Sequence, residues 1–122
     1  MAIYQSGEDY LEKILMLTER LGYARSMDIA AELKVSKPSV SIALKKLREE
    51  GYAEMEDNGH ITLTAEGRKI AERVYDRHKV ISALLRELGV SDETATEDAC
   101  RMEHVVSEET FSAFCRFIHK TL

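Results

Sequence analysis

The sequence predicts a mainly α-helical fold, with an N-terminal winged helix-turn-helix over residues 1–63 followed by a helical domain over residues 64–122. Three observations carry that expectation. Two short amphipathic helical patterns with a tight joint lie between Ser26 and Gly51. A hairpin signal, Asp57-Asn58-Gly59, follows them directly. From Thr64 onward apolar residues again recur at helical spacing.

A length of 122 residues allows one domain or two tightly joined small ones. The charged fraction of 32% and hydrophobic fraction of 44% belong to a soluble globular chain with enough apolar material for a core, which argues against disorder. No apolar run approaches the ~20 residues that span a bilayer, and Met1 to Glu8 lacks a basic region followed by an apolar one, so the expected compartment is the cytoplasm. Cys100 and Cys115 lie apart at no zinc-finger or redox spacing. They read as free thiols in a reducing compartment.

Between Glu8 and Leu21 a helical stripe of Tyr10, Ile14, Leu17 and Leu21 marks a buried face, and Gly22 ends the helix. Asp9, Glu12, Met16 and Glu19 form a second stripe; Asp9 and Glu12, at i and i+3, are either oxygen ligands or acids suited to a helix N-terminus. Ser26 can cap a short helix carrying Ile29, Ala30 and Leu33. Ser36 can cap the next, whose first turn tolerates Pro38 and whose buried stripe is Val40, Leu44 and Leu47, with Gly51 as its stop. Two such helices read as a helix-turn-helix.

The net charge of −5 hides an uneven distribution. Leu33 to Arg48 contains Lys34, Lys37, Lys45, Lys46 and Arg48 and no acid, whereas acids collect at Glu8, Asp9 and Glu12 and again from Asp92 to Glu109. A basic segment on the second helix of a helix-turn-helix suggests a DNA-facing surface of Ser36, Lys37, Pro38, Ser39, Ser41, Lys45 and Lys46, early residues near bases and lysines near phosphates. The same residues would also suit a merely solvated helix face. The alternating runs Tyr52–Glu56 and His60–Leu63 then form the wing, with His60 an exposed residue beside its turn.

Thr64 can cap a long helix to about Leu88, with Ile70, Val74, His78, Ile81, Leu85 and Leu88 on one line. A histidine on an apolar line is ordinarily a hydrogen-bonded core residue. Gly89 and Ser91 separate this helix from one carrying Asp98-Ala99-Cys100-Arg101-Met102-Glu103-His104, where Cys100, Glu103 and His104 fall at i, i+3 and i+4 on one helical face. Thiol, carboxylate and imidazole there are half of a metal site or, read plainly, a small buried residue beside a solvated pair. Ser107 opens a last helix whose apolar stripe, Phe111, Phe114, Cys115 and Ile118, suits a core or dimer interface, with Cys115 structural. There is no internal repeat, low-complexity tract or phosphate-binding glycine loop.

The winged helix, the long helix with His78, the run Glu97 to Ser107 around Cys100-Arg101-Met102-Glu103-His104, and Glu8-Asp9-Tyr10-Leu11-Glu12 at the front together resemble the diphtheria toxin repressor family of metal-dependent transcriptional repressors. The resemblance covers nearly the whole chain. It implies Asp9, Glu12, His78, Cys100, Glu103 and His104 as metal ligands, and a helical domain that both binds metal and dimerises. It implies a homodimer on a pseudo-palindromic DNA operator, no membrane, and repression of metal uptake or homeostasis genes. Asp9 and Glu12 look like the manganese-sensing branch, where carboxylates suit a hard cation, and Cys100 like the iron-sensing branch. The expected cofactor is therefore Mn(II) or Fe(II), with cobalt, nickel, zinc or cadmium able to fill such a site in vitro. The chain looks like a short form without the C-terminal barrel of the iron branch. Thr96 and Ser82 match that branch's ancillary site poorly, leaving His78 as its surviving position and one or two metals per subunit open.

Other classes explain less. A winged-helix regulator sensing a small organic ligand or an oxidant through Cys100 is the alternative within the binding class. A metal-dependent hydrolase would need an open coordination position and a spare general base, and the sequence offers no such base beside the cluster. The expectation is a protein that is not an enzyme. A purely structural interaction module leaves the six matching positions unexplained.

Overall fold

The computed structural model describes residues 5–121. The elements are α1 (Gln5–Leu21), α2 (Ser26–Leu33), α3 (Lys37–Glu49), β1 (Ala53–Met55), β2 (Ile61–Leu63), α4 (Ala65–Glu87), α5 (Asp92–Met102) and α6 (Glu108–Thr121). They fall into two compact units, the first reaching Glu72 and the second beginning at Arg73, so that α4 runs on through the division.

In the first unit α1 packs against α2, α3 and β2, and α3 packs against α2 and β1. Leu11, Ile14, Leu15 and Leu17 of α1, Ile29 of α2, and Val40, Leu44 and Leu47 of α3 are buried, with Ala53 and Ile61 from the strands. The expected α1 stripe is thus broader than its apolar line, taking in Leu11 and Leu15, and it stops short of Leu21, which is exposed at the helix end. Ser36 caps α3 by accepting from the Ser39 N–H at 3.2 Å. Ser26 does not cap α2: Arg25 occupies the N-cap in an extended conformation and Ser26 is the first helical residue.

The wing is the expected hairpin, antiparallel with Glu54 opposite Thr62. Its turn is closed by the Gly59 N–H donating to the Glu56 carbonyl at 2.9 Å, with Gly59 at φ +86°, where a side chain would be strained. His60 is not simply exposed. Its ring stacks on Tyr23 with centroids 5.0 Å apart, and Arg25 and Asn58 each place a nitrogen 3.3 Å from a ring nitrogen. Beside it the Ile61 N–H donates to the Ala24 carbonyl at 2.7 Å, tying the wing to the loop after α1.

Thr64 caps α4 by accepting from the Gly67 N–H at 3.1 Å, while its hydroxyl donates to the Gly51 carbonyl at 2.7 Å. A Cβ on Gly67 would lie 1.9 Å from the Tyr52 carbonyl oxygen. The first turn of α4 therefore lies against the chain leaving α3, and only glycine fits there.

In the second unit α4 buries Val74 and Ile81 of the apolar line read in sequence and adds Arg77, Ser82 and Leu84, while His78 and Leu85 are half-buried and Leu88 is exposed. Ser91 caps α5 by accepting from the Thr94 N–H at 3.3 Å, and the small residues Ala95 and Ala99 form its buried side. Ser107 plays the same part for α6, accepting from the Thr110 N–H at 3.2 Å.

Candidate functional site

The α5 helix ends at Met102, so Glu103 is its C-cap and His104 lies in the turn beyond. The expected single helical face carrying Cys100, Glu103 and His104 is therefore a helix end and a turn. Glu103 retains helical dihedrals, and its N–H donates to the Ala99 carbonyl at 3.0 Å, which keeps its side chain within reach of Cys100. From α4, His78 meets both. Its Nδ1 lies 3.0 Å from Glu103 Oε2 and 3.8 Å from Cys100 Sγ. The other carboxylate oxygen of Glu103 lies 3.4 Å from His104 Nε2.

These groups are sequestered. The Glu103 side chain is fully buried, His104 is 2% exposed and His78 15%. A carboxylate in such a place is stable only with hydrogen-bond or charge partners. His78, Cys100 and Glu103 each offer a ligand atom, all within 4.8 Å of one another. Ligands bound to one transition ion at ~2.0–2.3 Å sit about 3–4 Å apart, so the observed spacings fit a common ion. Imidazole, thiol and carboxylate together suit a divalent transition metal, the thiol favouring a softer ion and the carboxylate a harder one. On α1, in the first unit, Asp9 is half-buried and Glu12 is 1% exposed, one turn apart.

A residue that sequence reading passed over organises the turn. Arg77, 4% exposed, directs its guanidinium to the main-chain carbonyls of Glu103, at 3.3 Å, and Val106, and to Glu108 Oε1 at 2.6 Å, with the Phe111 ring 5.1 Å away. A cation at the C-terminal end of a helix meets the negative end of its dipole. The planar fork of arginine can serve several acceptors at once, which an ammonium on a flexible stem cannot do as rigidly. Its signal in the sequence is a charge immediately before His78, on the side of α4 that helical spacing turns inward.

On the first unit, all seven residues expected to face DNA are exposed. Ser36 and Ser39 also build the start of α3, since the Ser36 hydroxyl bonds Ser39 Oγ at 2.9 Å. A groove beside α3 is lined by Met27, Lys37, Ser41, Met55 and Gly59, bringing helix and wing residues to one surface.

A winged helix with an exposed basic helix, and a helical unit with a buried imidazole, thiol and carboxylate cluster, define a DNA-binding protein with a metal-ligand set. Residues 3–61 match the N-terminal DNA-binding domain of the iron-dependent repressors, and residues 64–121 match their metal-binding and dimerisation domain. The chain belongs to this family, that of the diphtheria toxin repressor, whose members are transcriptional regulators and not enzymes.

Similar proteins include transcriptional regulator MntR of Escherichia coli, 46% identical over 93% of this chain and 73% of the relative. A helix-turn-helix transcriptional regulator of Methanocaldococcus jannaschii is 37% identical over 95% of this chain and 94% of its own length. Among solved structures, the manganese regulator SloR superposes with a TM-score of 0.81 at 30% identity, and IdeR of T. acidophilum with 0.81 at 29%. This chain covers 98% of itself and 55% of each of those two chains, so it spans little more than half their length. These relatives lend no support to a sensor of organic ligands or oxidants. Among the described residues no helix is long and apolar enough to cross a membrane.

Proposed function

We propose that this chain is a metal-dependent DNA-binding repressor activated by Mn(II) or Fe(II), acting as a homodimer on a pseudo-palindromic operator of metal uptake or homeostasis genes. The observation that carries the reading is the meeting of His78, Cys100 and Glu103 in the domain that matches the family's metal-binding and dimerisation model. His104 joins them through Glu103. Asp9 and Glu12 are proposed as further ligands on the family resemblance alone.

A bound divalent ion would compensate the charge of the buried Glu103 carboxylate and take Cys100 as a thiolate ligand. Arg77 holds the turn that presents Glu103 and His104, and His78 accepts the position set for it by α4. If Asp9 and Glu12 are ligands as proposed, ligands would precede and follow the DNA-reading helix in the chain, and ion occupancy would be coupled to that helix. Coupling is reciprocal: operator DNA should tighten metal binding by the factor with which metal tightens DNA binding. Lys37, Lys45 and Lys46 would hold phosphates while the outward face of α3 meets base edges.

The dimer face is proposed to be the apolar groove of the second unit, lined by Leu84, Leu88, Ala113, Phe114 and Phe117. Leu88 is 65% exposed and Phe117 49%, an apolar surface of the kind that partner subunits cover.

The test is anaerobic binding of the protein to fragments of its own genome, with chelator and then with graded Mn(II) or Fe(II). Selective retention only with metal supports the reading, and the more effective ion separates manganese from iron sensing. Equal retention in chelator would leave a DNA-binding protein with another signal.

A further inference from the structure

Ile42 is the outermost apolar residue of the basic helix. It is 72% exposed, and at 100° per residue it points directly away from the buried stripe of Val40, Leu44 and Leu47. Its neighbours on that outward face are Pro38, Lys45 and Lys46, within a stretch from Leu33 to Arg48 that contains no acid. A β-branched side chain does nothing for an exposed helix position, where lysine, glutamine or alanine holds the helix better. What the position does offer is a branched hydrocarbon in the middle of a cationic surface. That surface complements phosphates, and its centre complements an apolar group lying between two phosphate backbones.

In the major groove of B-DNA the one such group is the C5-methyl of thymine. We propose that Ile42 reads a thymine methyl in each operator half-site, making it a specificity-determining residue. The inference rests on the reading that α3 enters the major groove. Ile42 cannot hydrogen-bond a base edge, so its discrimination is for thymine over cytosine or uracil through the methyl alone, while its lysine neighbours contact phosphates without regard to sequence.

The test begins by selecting operators from random duplexes with the Mn(II)-loaded protein, then replacing each thymine by deoxyuridine, which removes only the methyl. Burying one methyl corresponds to about a fourfold change in affinity. At one thymine per half-site the replacement should weaken wild-type binding by about that factor and leave Ile42→Ala unaffected. Alanine is the better helix former, so this variant keeps α3 intact, and circular dichroism confirms it. Wild-type indifference to every uracil, an equal loss in Ile42→Ala, or selected operators lacking thymine would overturn the proposal. Lys45→Ala with Lys46→Ala on the same duplexes separates the two readings. A reduced salt slope with uracil indifference rejects only the methyl contact, and an unchanged slope removes α3 from the DNA altogether.

Discussion

The guanidinium of Arg77 donates to the main-chain carbonyl of Glu103 at 3.3 Å, across 26 residues of sequence, while Glu103 turns its carboxylate to His78 at 3.0 Å. Two successive residues of α4 thus grip the same residue of the α5 end, one by its backbone and one by its side chain. The cation fixes the turn and the imidazole shares the site.

Arg77→Ala leaves the Glu103 and Val106 carbonyls without this donor in a buried setting, and should cost about 3 kcal/mol of stability in thermal unfolding with chelator present. Metal affinity by competition with a fluorescent chelator should fall more than tenfold, because Glu103 and His104 lose their fixed placement. Arg77→Lys keeps the charge without the fork and should be intermediate. Glu108→Gln should change stability by less than ~1 kcal/mol, since Glu108 is 79% exposed. Wild-type metal affinity in Arg77→Ala would show that the turn holds itself.

Glu103→Gln, which preserves volume, and His104→Ala should retain fold and dimer by circular dichroism and size-exclusion chromatography but lose metal-dependent DNA binding. A full metal response in either variant is incompatible with the ligand assignment.

Cys100→Asp exchanges a soft donor for a hard one beside His78. The ratio of Mn(II) to Co(II) affinity should rise, and the thiolate-to-cobalt absorption of the wild-type protein should vanish. An unchanged ratio and spectrum would place Cys100 outside the coordination sphere.

Lys45→Ala with Lys46→Ala should weaken binding to all duplexes alike. The slope of log affinity against log salt should flatten by about one for each phosphate contact removed. Titrations at several salt concentrations measure it directly.

Gly67→Ala puts a methyl 1.9 Å from the Tyr52 carbonyl oxygen, a backbone atom that cannot swing aside. The start of α4 must shift, and a loss of at least ~2 kcal/mol is expected in denaturant unfolding. Wild-type stability would mean that the turn after α3 yields more easily than its hydrogen bonds to Thr64 suggest.

The legible parts of this chain are those governed by local chemistry. Ser36, Ser91 and Ser107 cap the helices they precede, Asp57-Asn58-Gly59 turns the wing, and Thr64 starts the long helix. That His78, Cys100 and Glu103 come together was suggested by family resemblance and not by spacing, which suits a metal half-site and an ordinary helix face equally. Less legible were positions whose role depends on a distant partner. His60 looked like a wing residue on the surface, yet Tyr23, far back in the sequence, covers its ring. Leu11 and Leu15 lie off the apolar line of α1 but are buried, and periodicity within one helix cannot reveal a second covered side.

By itself the sequence determined the order of elements, the basic helix and the residue types able to hold an ion, since caps, turns and periodicity act over a few residues. Only the tertiary structure decided that α5 stops at Met102, that His78 and Glu103 share a hydrogen bond, and that Arg77 is buried rather than solvated. A charged residue reads as exposed until its partners are known, and the carbonyls that receive this one lie on a turn that exists only once α4, α5 and α6 have come together.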